Sequence, residues 1–171
     1  MIEINNLTQS KVNDVLIKTS AENVLQGEGF RTSSYISIAF VGPGRMRKLN
    51  KAYRGKNRST DVLSFPESKV AFGKFKIGKL EKTQGLGEII ICLREVGKNA
   101  KKFGVSSDKE LARIVIHGVL HLLDFDHEKD SGEMFQKEIK YLEKLLHEIS
   151  NHNYVRYRQR LYQGHLRESF R

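Results

Sequence analysis

Ser107-Asp-Lys-Glu-Leu-Ala-Arg-Ile-Val-Ile-His117-Gly-Val-Leu-His121-Leu-Leu-Asp-Phe-Asp-His127 is the stretch on which the fold turns. Ser107-Asp108-Lys109-Glu110 has the form of a capping box, and the apolar residues after it predict a buried helix running to about Leu123. On a helix, residues i and i+4 project from one face, so His117 and His121 present two imidazoles to one point. His127 lies six residues further on, and a turn at Asp124-Phe125-Asp126 would fold it back as a third ligand. Three histidines with an open position form a catalytic zinc arrangement; a structural site would be closed by four protein ligands. The pattern H-x3-H-x5-H is that of long zincin metal helices. Zincin peptidases place a glutamate base directly after the first histidine, and here that residue is Gly118. Asp126 is a candidate partner for a ligand imidazole, with capping of the next segment as its competing role. His147, His152 and His165 have no such spacing and read as surface or helix-end residues.

Upstream of the helix, Ile2–Asn6 alternates like a short strand, and residues 9–27 have helical periodicity ended by Gly27 and Gly29. Tyr35–Val41 predicts a strand closed by a turn at Gly42-Pro43-Gly44. Met46, Leu49 and Tyr53 form the apolar stripe of a short helix. Asp61–Phe65 predicts a strand stopped by Pro66, residues 67–85 a Lys- and Gly-rich loop with a weak hairpin, and Leu86–Leu93 a buried strand. Arg94–Phe103 reads as a helix with Gly104 after it. Asp130-Ser131-Gly132-Glu133 opens a last long helix carried by Phe135, Ile139, Leu142, Leu145, Leu146 and Ile149. The expected fold is α+β: one domain over residues 1–153, with a small mixed four-stranded sheet, about five or six helices and a zincin-like metal helix. Residues 154–171 read as an Arg-rich tail that is helical, docked, or loose until a partner binds.

The chain has 171 residues, suited to one domain. A single cysteine, Cys92, excludes an internal disulfide framework and favours a reducing compartment. No apolar run is long enough to span a bilayer, and no secretory signal opens the sequence, so the cytoplasm is the expected location. The net charge is +10, unevenly spread: +7 over residues 1–96, −1 over 97–150 and +4 over 151–171. Between positions 45 and 58 stand seven basic residues and no acidic one: Arg45, Arg47, Lys48, Lys51, Arg54, Lys56 and Arg58. Such a run attracts phosphates, although a solvated face that keeps the protein soluble has the same composition. Three neutral imidazoles would leave the charge of a divalent metal uncompensated, which favours an anionic substrate.

His117–His127 resembles the signature H-G-x-L-H-L-x-G-x-D-H of the YbeY family, bacterial metal-dependent endoribonucleases of rRNA maturation. Leu49-Asn50-Lys-Ala-Tyr53-Arg54-Gly55-Lys56 followed by Ser59-Thr60-Asp61-Val62-Leu63-Ser64-Phe65-Pro66 is similar to that family's second block, and Leu86-Gly87-Glu88-Ile89-Ile90-Ile91-Cys92 to its third. The resemblance covers residues 35–150 or so. It implies one zinc ion, or another divalent metal, on His117, His121 and His127, and Arg54 as the functional arginine near it. It implies a cytoplasmic, single-strand-specific endoribonuclease acting on the small-subunit rRNA 3′ end and in ribosome quality control. The implied partners are single-stranded RNA, the ribosomal small subunit and assembly factors, with no membrane and no DNA. Two readings stand beside it: a zincin-like peptidase, and a non-catalytic RNA-binding assembly factor with structural zinc. Asp124 departs from the family's glycine, and aspartate is among the few residues that tolerate the left-handed turn glycine would supply. The Arg-rich tail has no counterpart in the resemblance.

Overall fold

The computed structural model describes residues 1–30, 34–67, 85–127 and 130–147. Four strands and five helices follow one another as β1 (Ile2–Asn6), α1 (Asp14–Gly27), β2 (Tyr35–Phe40), α2 (Pro43–Arg54), β3 (Val62–Pro66), β4 (Gly85–Ile91), α3 (Leu93–Phe103), α4 (Ser107–Leu122) and α5 (Glu133–His147). The sheet order is β1-β2-β4-β3. β1, β2 and β4 run parallel, and β3 pairs antiparallel with β4 at the edge. This is the expected mixed sheet of an α+β domain. The expected loop over 67–85 lies largely outside the described residues, as do the tail 154–171 and Ile149.

Side chains alternate across the strands and build two cores. Ile36, Ile38 and Phe40 of β2 and Ile89 and Ile91 of β4 face the main core with α1, α4 and α5. Leu63, Ile90 and Cys92 face the other way and form a smaller core with Val41 and with Met46 of α2. α4 and α2 therefore lie on opposite faces of the sheet, and β3 is the edge between them. α4 is buried almost all round, which is why its sequence reads as apolar with few interruptions. Two glycines permit its approach. A Cβ at Gly118 would meet Ile89 Cγ2 at 2.9 Å, and one at Gly87 (φ +134°) would meet the Phe65 carbonyl oxygen at 2.2 Å and Leu122 Cδ2 at 3.0 Å.

Of the boundaries that differ from the sequence expectation, three have a local reason in side-chain or proline chemistry. α1 begins at Asp14, not residue 9, because Asn13 Oδ1 accepts the Leu16 N–H at 3.1 Å as the N-cap. Upstream, Asn6 and Thr8 side chains accept backbone N–H groups of Thr8 and Ser10, holding that polar stretch in turns. Gly42-Pro43-Gly44 opens α2 instead of forming a separate turn: Gly42 is the N-cap and Pro43 takes the first helical position, where its missing N–H costs nothing. The cap of α4 is Ser106, whose Oγ accepts the Lys109 N–H at 3.2 Å, one residue before the capping box read from the sequence.

Candidate metal centre

α4 carries His117 and His121 on one face near its C-terminal end. The helix then stops in a Schellman motif. The Phe125 N–H donates to the Leu120 carbonyl at 3.1 Å and the Asp124 N–H to the His121 carbonyl at 3.2 Å. Asp124 is the C′ residue with φ +67°, and among the described residues it is the one non-glycine with positive φ. This turn brings His127 back toward the other two. Phe125 anchors it: Lys137 Nζ lies 4.8 Å from the Phe125 ring centroid and pairs with Glu28 at 2.9 Å, joining the loop to α5 and α1. Asp130 closes the loop. Its carboxylate accepts the N–H groups of Gly132 at 2.7 Å and Met134 at 2.9 Å and so caps α5.

The potential ligand atoms of His117, His121 and His127 all lie within 4.8 Å of one another. His117 Nε2 and His121 Nε2 are 3.1 Å apart. Tetrahedral zinc with N ligands at 2.0–2.1 Å would space such atoms at about 3.3 Å. The protons of these two rings are engaged elsewhere. A carboxylate oxygen, Glu138 Oε2, sits 2.9 Å from His117 Nδ1 and accepts its N–H. The His121 ring hydrogen-bonds the Phe125 backbone, and burial with the neighbouring imidazoles His117 and His127 holds its pKa down at about 4. With their other ring nitrogens engaged, His117 Nε2 and His121 Nε2 face each other at one point, an arrangement that a cation relieves. The residues present fit a divalent metal. Among the described residues no fourth side chain joins this group, which leaves room for an exogenous ligand.

Glu138 is the residue of the candidate site that sequence reading missed. It is buried on α5, and a second salt bridge at 3.1 Å ties its Oε1 to Arg113. Arg113 in turn grips the fully buried Glu110 at 2.7 Å through one N–H and at 3.1–3.2 Å through another. Burial pushes the Glu138 carboxyl up, but Arg113 and His117 outweigh it and hold the group at about 2. Glu110–Arg113–Glu138 is therefore a buried ionic chain ending on the imidazole of His117, a candidate ligand. The one available signal was that Glu110, Arg113 and His117 recur at i, i+3 and i+7 on α4; nothing local points to α5. Asp126, expected to partner an imidazole, raises the His121 pKa through its charge. Glu138 makes a direct hydrogen bond to His117.

The basic run sits on α2 and the loop after it, with all seven side chains exposed. Arg47 Nε donates to Asn57 Oδ1 at 2.9 Å, and buried Asn50 Nδ2 donates to the Arg58 carbonyl at 2.8 Å, fixing that loop. Arg54 is the last residue of α2, followed by Gly55 with φ +69°. Asp61 opens β3: its carboxylate accepts the Val62 N–H at 2.9 Å and Asn99 Nδ2 at 3.0 Å. On the opposite face of β3, Ser64 Oγ reaches the Gly118 carbonyl at 3.3 Å. The edge strand thus touches α4 one residue after His117.

A family model described as endoribonuclease YbeY matches residues 3–146. The chain belongs to the endoribonuclease YbeY family. A YbeY of Bacillus cytotoxicus is 38% identical over 128 residues, covering 72% of this chain and 82% of the relative. One of Bacillus cereus is 36% identical over 130 residues, covering 75% and 83%. Among solved structures, the solution structure of TM1509 from Thermotoga maritima superposes with a TM-score of 0.59 at 32% identity, covering 86% of this chain and 91% of that one. The family model's match spans α4 and the histidine turn, so the resemblance read from the three sequence blocks is a family relationship. No helix among the described residues is long and apolar enough to cross a membrane.

Proposed function

We propose that the chain is a metal-dependent endoribonuclease of rRNA maturation, cutting single-stranded RNA at the centre formed by His117, His121 and His127. The convergence of His117 Nε2 and His121 Nε2 at 3.1 Å, with their other ring nitrogens already hydrogen-bonded, carries this reading. Zinc is the metal proposed, one ion per chain. A bound zinc ion supplies a Lewis acid for a phosphate oxygen and lowers the pKa of water toward ~7, so the site requires no carboxylate base. The protein's own groups do the rest. Glu138 holds His117 in the tautomer that offers Nε2. Arg54 presents a forked guanidinium suited to a phosphate, in the role of a catalytic residue. Arg45, Arg47, Lys48, Lys51, Lys56 and Arg58 extend a positive field along the strand. The natural substrate is proposed to be the 3′ end of small-subunit rRNA, in the cytoplasm, with the ribosomal small subunit and its assembly factors as partners and ribosome quality control as a second task.

The peptidase reading has a specific observation against it. At Gly118, the place of a zincin peptidase's glutamate, the helix is pressed against Ile89 and has no space for a carboxylate. The deciding experiment offers the purified, zinc-loaded chain a single-stranded RNA, the same sequence as a duplex, and an unstructured peptide. Cleavage of the single strand alone, abolished by chelation and restored by zinc, is expected. Peptide cleavage, or RNA cleavage indifferent to chelation, would overturn the proposal.

A further inference from the structure

Tyr53 was expected to complete the apolar stripe of α2 with Met46 and Leu49. The structure buries Met46 but leaves Tyr53 67% exposed. Its ring meets Phe65 of β3 edge-to-face, with centroids 4.9 Å apart and planes at 69°. Phe65 is half-buried against the small core, so the tyrosine is braced from the protein side while most of its surface stays in water. Among the described residues it is the one aromatic among the exposed large hydrophobic side chains; the others are Met1, Leu7 and Val15.

Its surroundings select the occupant. Lys51, Arg54 and Lys56 neighbour it in sequence on an exposed surface, and no acidic residue lies between positions 45 and 58. A flat ring among cations matches a polyanion that carries flat, exposed faces. A protein partner would instead ask for a wider apolar patch, and a duplex keeps its base faces stacked inside. The position also fits: β3 is the edge between the two faces, with Phe65 on the side of α2 and the preceding Ser64 touching the Gly118 carbonyl of α4 on the other.

We propose that Tyr53, braced by Phe65, is a stacking subsite for one unpaired base of the RNA strand, and that it contributes to single-strand preference. This rests on the endoribonuclease reading and adds a binding determinant to it. A positive groove holds backbone of any form, but an aromatic face is satisfied only by a base free of its own stack.

The sequence contains no tryptophan, so Tyr53→Trp places a single indole at the subsite. The zinc-loaded full chain is mixed with a single-stranded oligoribonucleotide, with an abasic strand of equal charge, and with a duplex; fluorescence is read at first mixing, before cleavage accumulates. Quenching by the single strand, and much less by the abasic strand or the duplex, is expected. In parallel, Tyr53→Ala should weaken single-strand binding about 5- to 100-fold, Tyr53→Phe should bind like the parent, and the abasic strand should bind parent and Tyr53→Ala alike. Tyr53→Ala removes little buried surface, and its melting temperature checks that it folds. If Tyr53→Ala binds and cuts the single strand like the parent, the subsite is wrong while the endoribonuclease reading stands. If the parent binds no RNA, both fall.

Discussion

Replacing Glu138 tests how the protein holds its metal. The carboxylate fixes His117 through the 2.9 Å contact to Nδ1 and is itself held by Arg113 at 3.1 Å. Loss of such an outer partner typically costs about 10–100-fold in metal affinity, or about 1.4–2.8 kcal/mol. Glu138→Gln keeps an acceptor oxygen of the same reach, so its loss should fall near tenfold. Glu138→Ala removes the acceptor and should approach a hundredfold. Removing one partner of a buried ion pair costs about 3–5 kcal/mol when the other charge is left alone. Arg113 is not left alone, because its three contacts to Glu110 remain, so the metal-free variants should lose less than that. The assay is competition for zinc against a chelating dye, beside thermal unfolding of the metal-free proteins. Zinc affinity unchanged in Glu138→Ala would refute the claim that this carboxylate orients a ligand. The acid limb gives a second reading. A group held below its ordinary 4.5 stabilises the fold fully above that pH and loses its contribution as pH falls toward about 2. The metal-free parent should therefore lose stability more steeply than Glu138→Gln across that window.

Asp124→Gly should keep its metal and melt about 2–4 °C higher, because glycine adopts the φ of +67° without the roughly 1 kcal/mol penalty of a side chain there; loss of metal on that change would make the carboxylate a ligand. Gly118→Ala should lower stability by about 1–3 kcal/mol through overpacking against Ile89, read in a denaturant melt, while binding zinc. Arg54→Ala should fold, retain zinc and lose about 10²–10³ in RNA cleavage rate, whereas Lys48→Ala should only weaken binding and its salt dependence mildly. If Arg54→Ala cleaves as fast as the parent, its assignment as a catalytic residue fails.

What could be read from the sequence was what is local. The pairing of His117 with His121 follows from helical spacing, and the left-handed role of Asp124 follows from the glycine that the resembled family carries at that position. Strand order could not be read, since the pairing of β4 between β2 and β3 depends on how helices cover both faces. Boundary errors arose where a side chain replaced a backbone partner, as at Asn13 and Ser106, or where Pro43 served as a helix start. Tyr53 was misread because i, i+3, i+7 spacing marks a face without saying how far the core extends beneath it; α2 runs past the end of the small core. Glu138 was invisible for a different reason. It reaches His117 from 21 residues away, and only the packing of α5 on α4 brings the two together.

The proposed function requires that His117, His121 and His127 form one open metal centre on which RNA cleavage depends. The most direct measurement is metal content per chain together with single-strand RNA cleavage, for the parent and for His121→Ala. One divalent metal per parent chain, and loss of both metal and cleavage in the variant, are expected. A His121→Ala protein that keeps its metal, or a metal-stripped parent that still cuts RNA at the full rate, would contradict it.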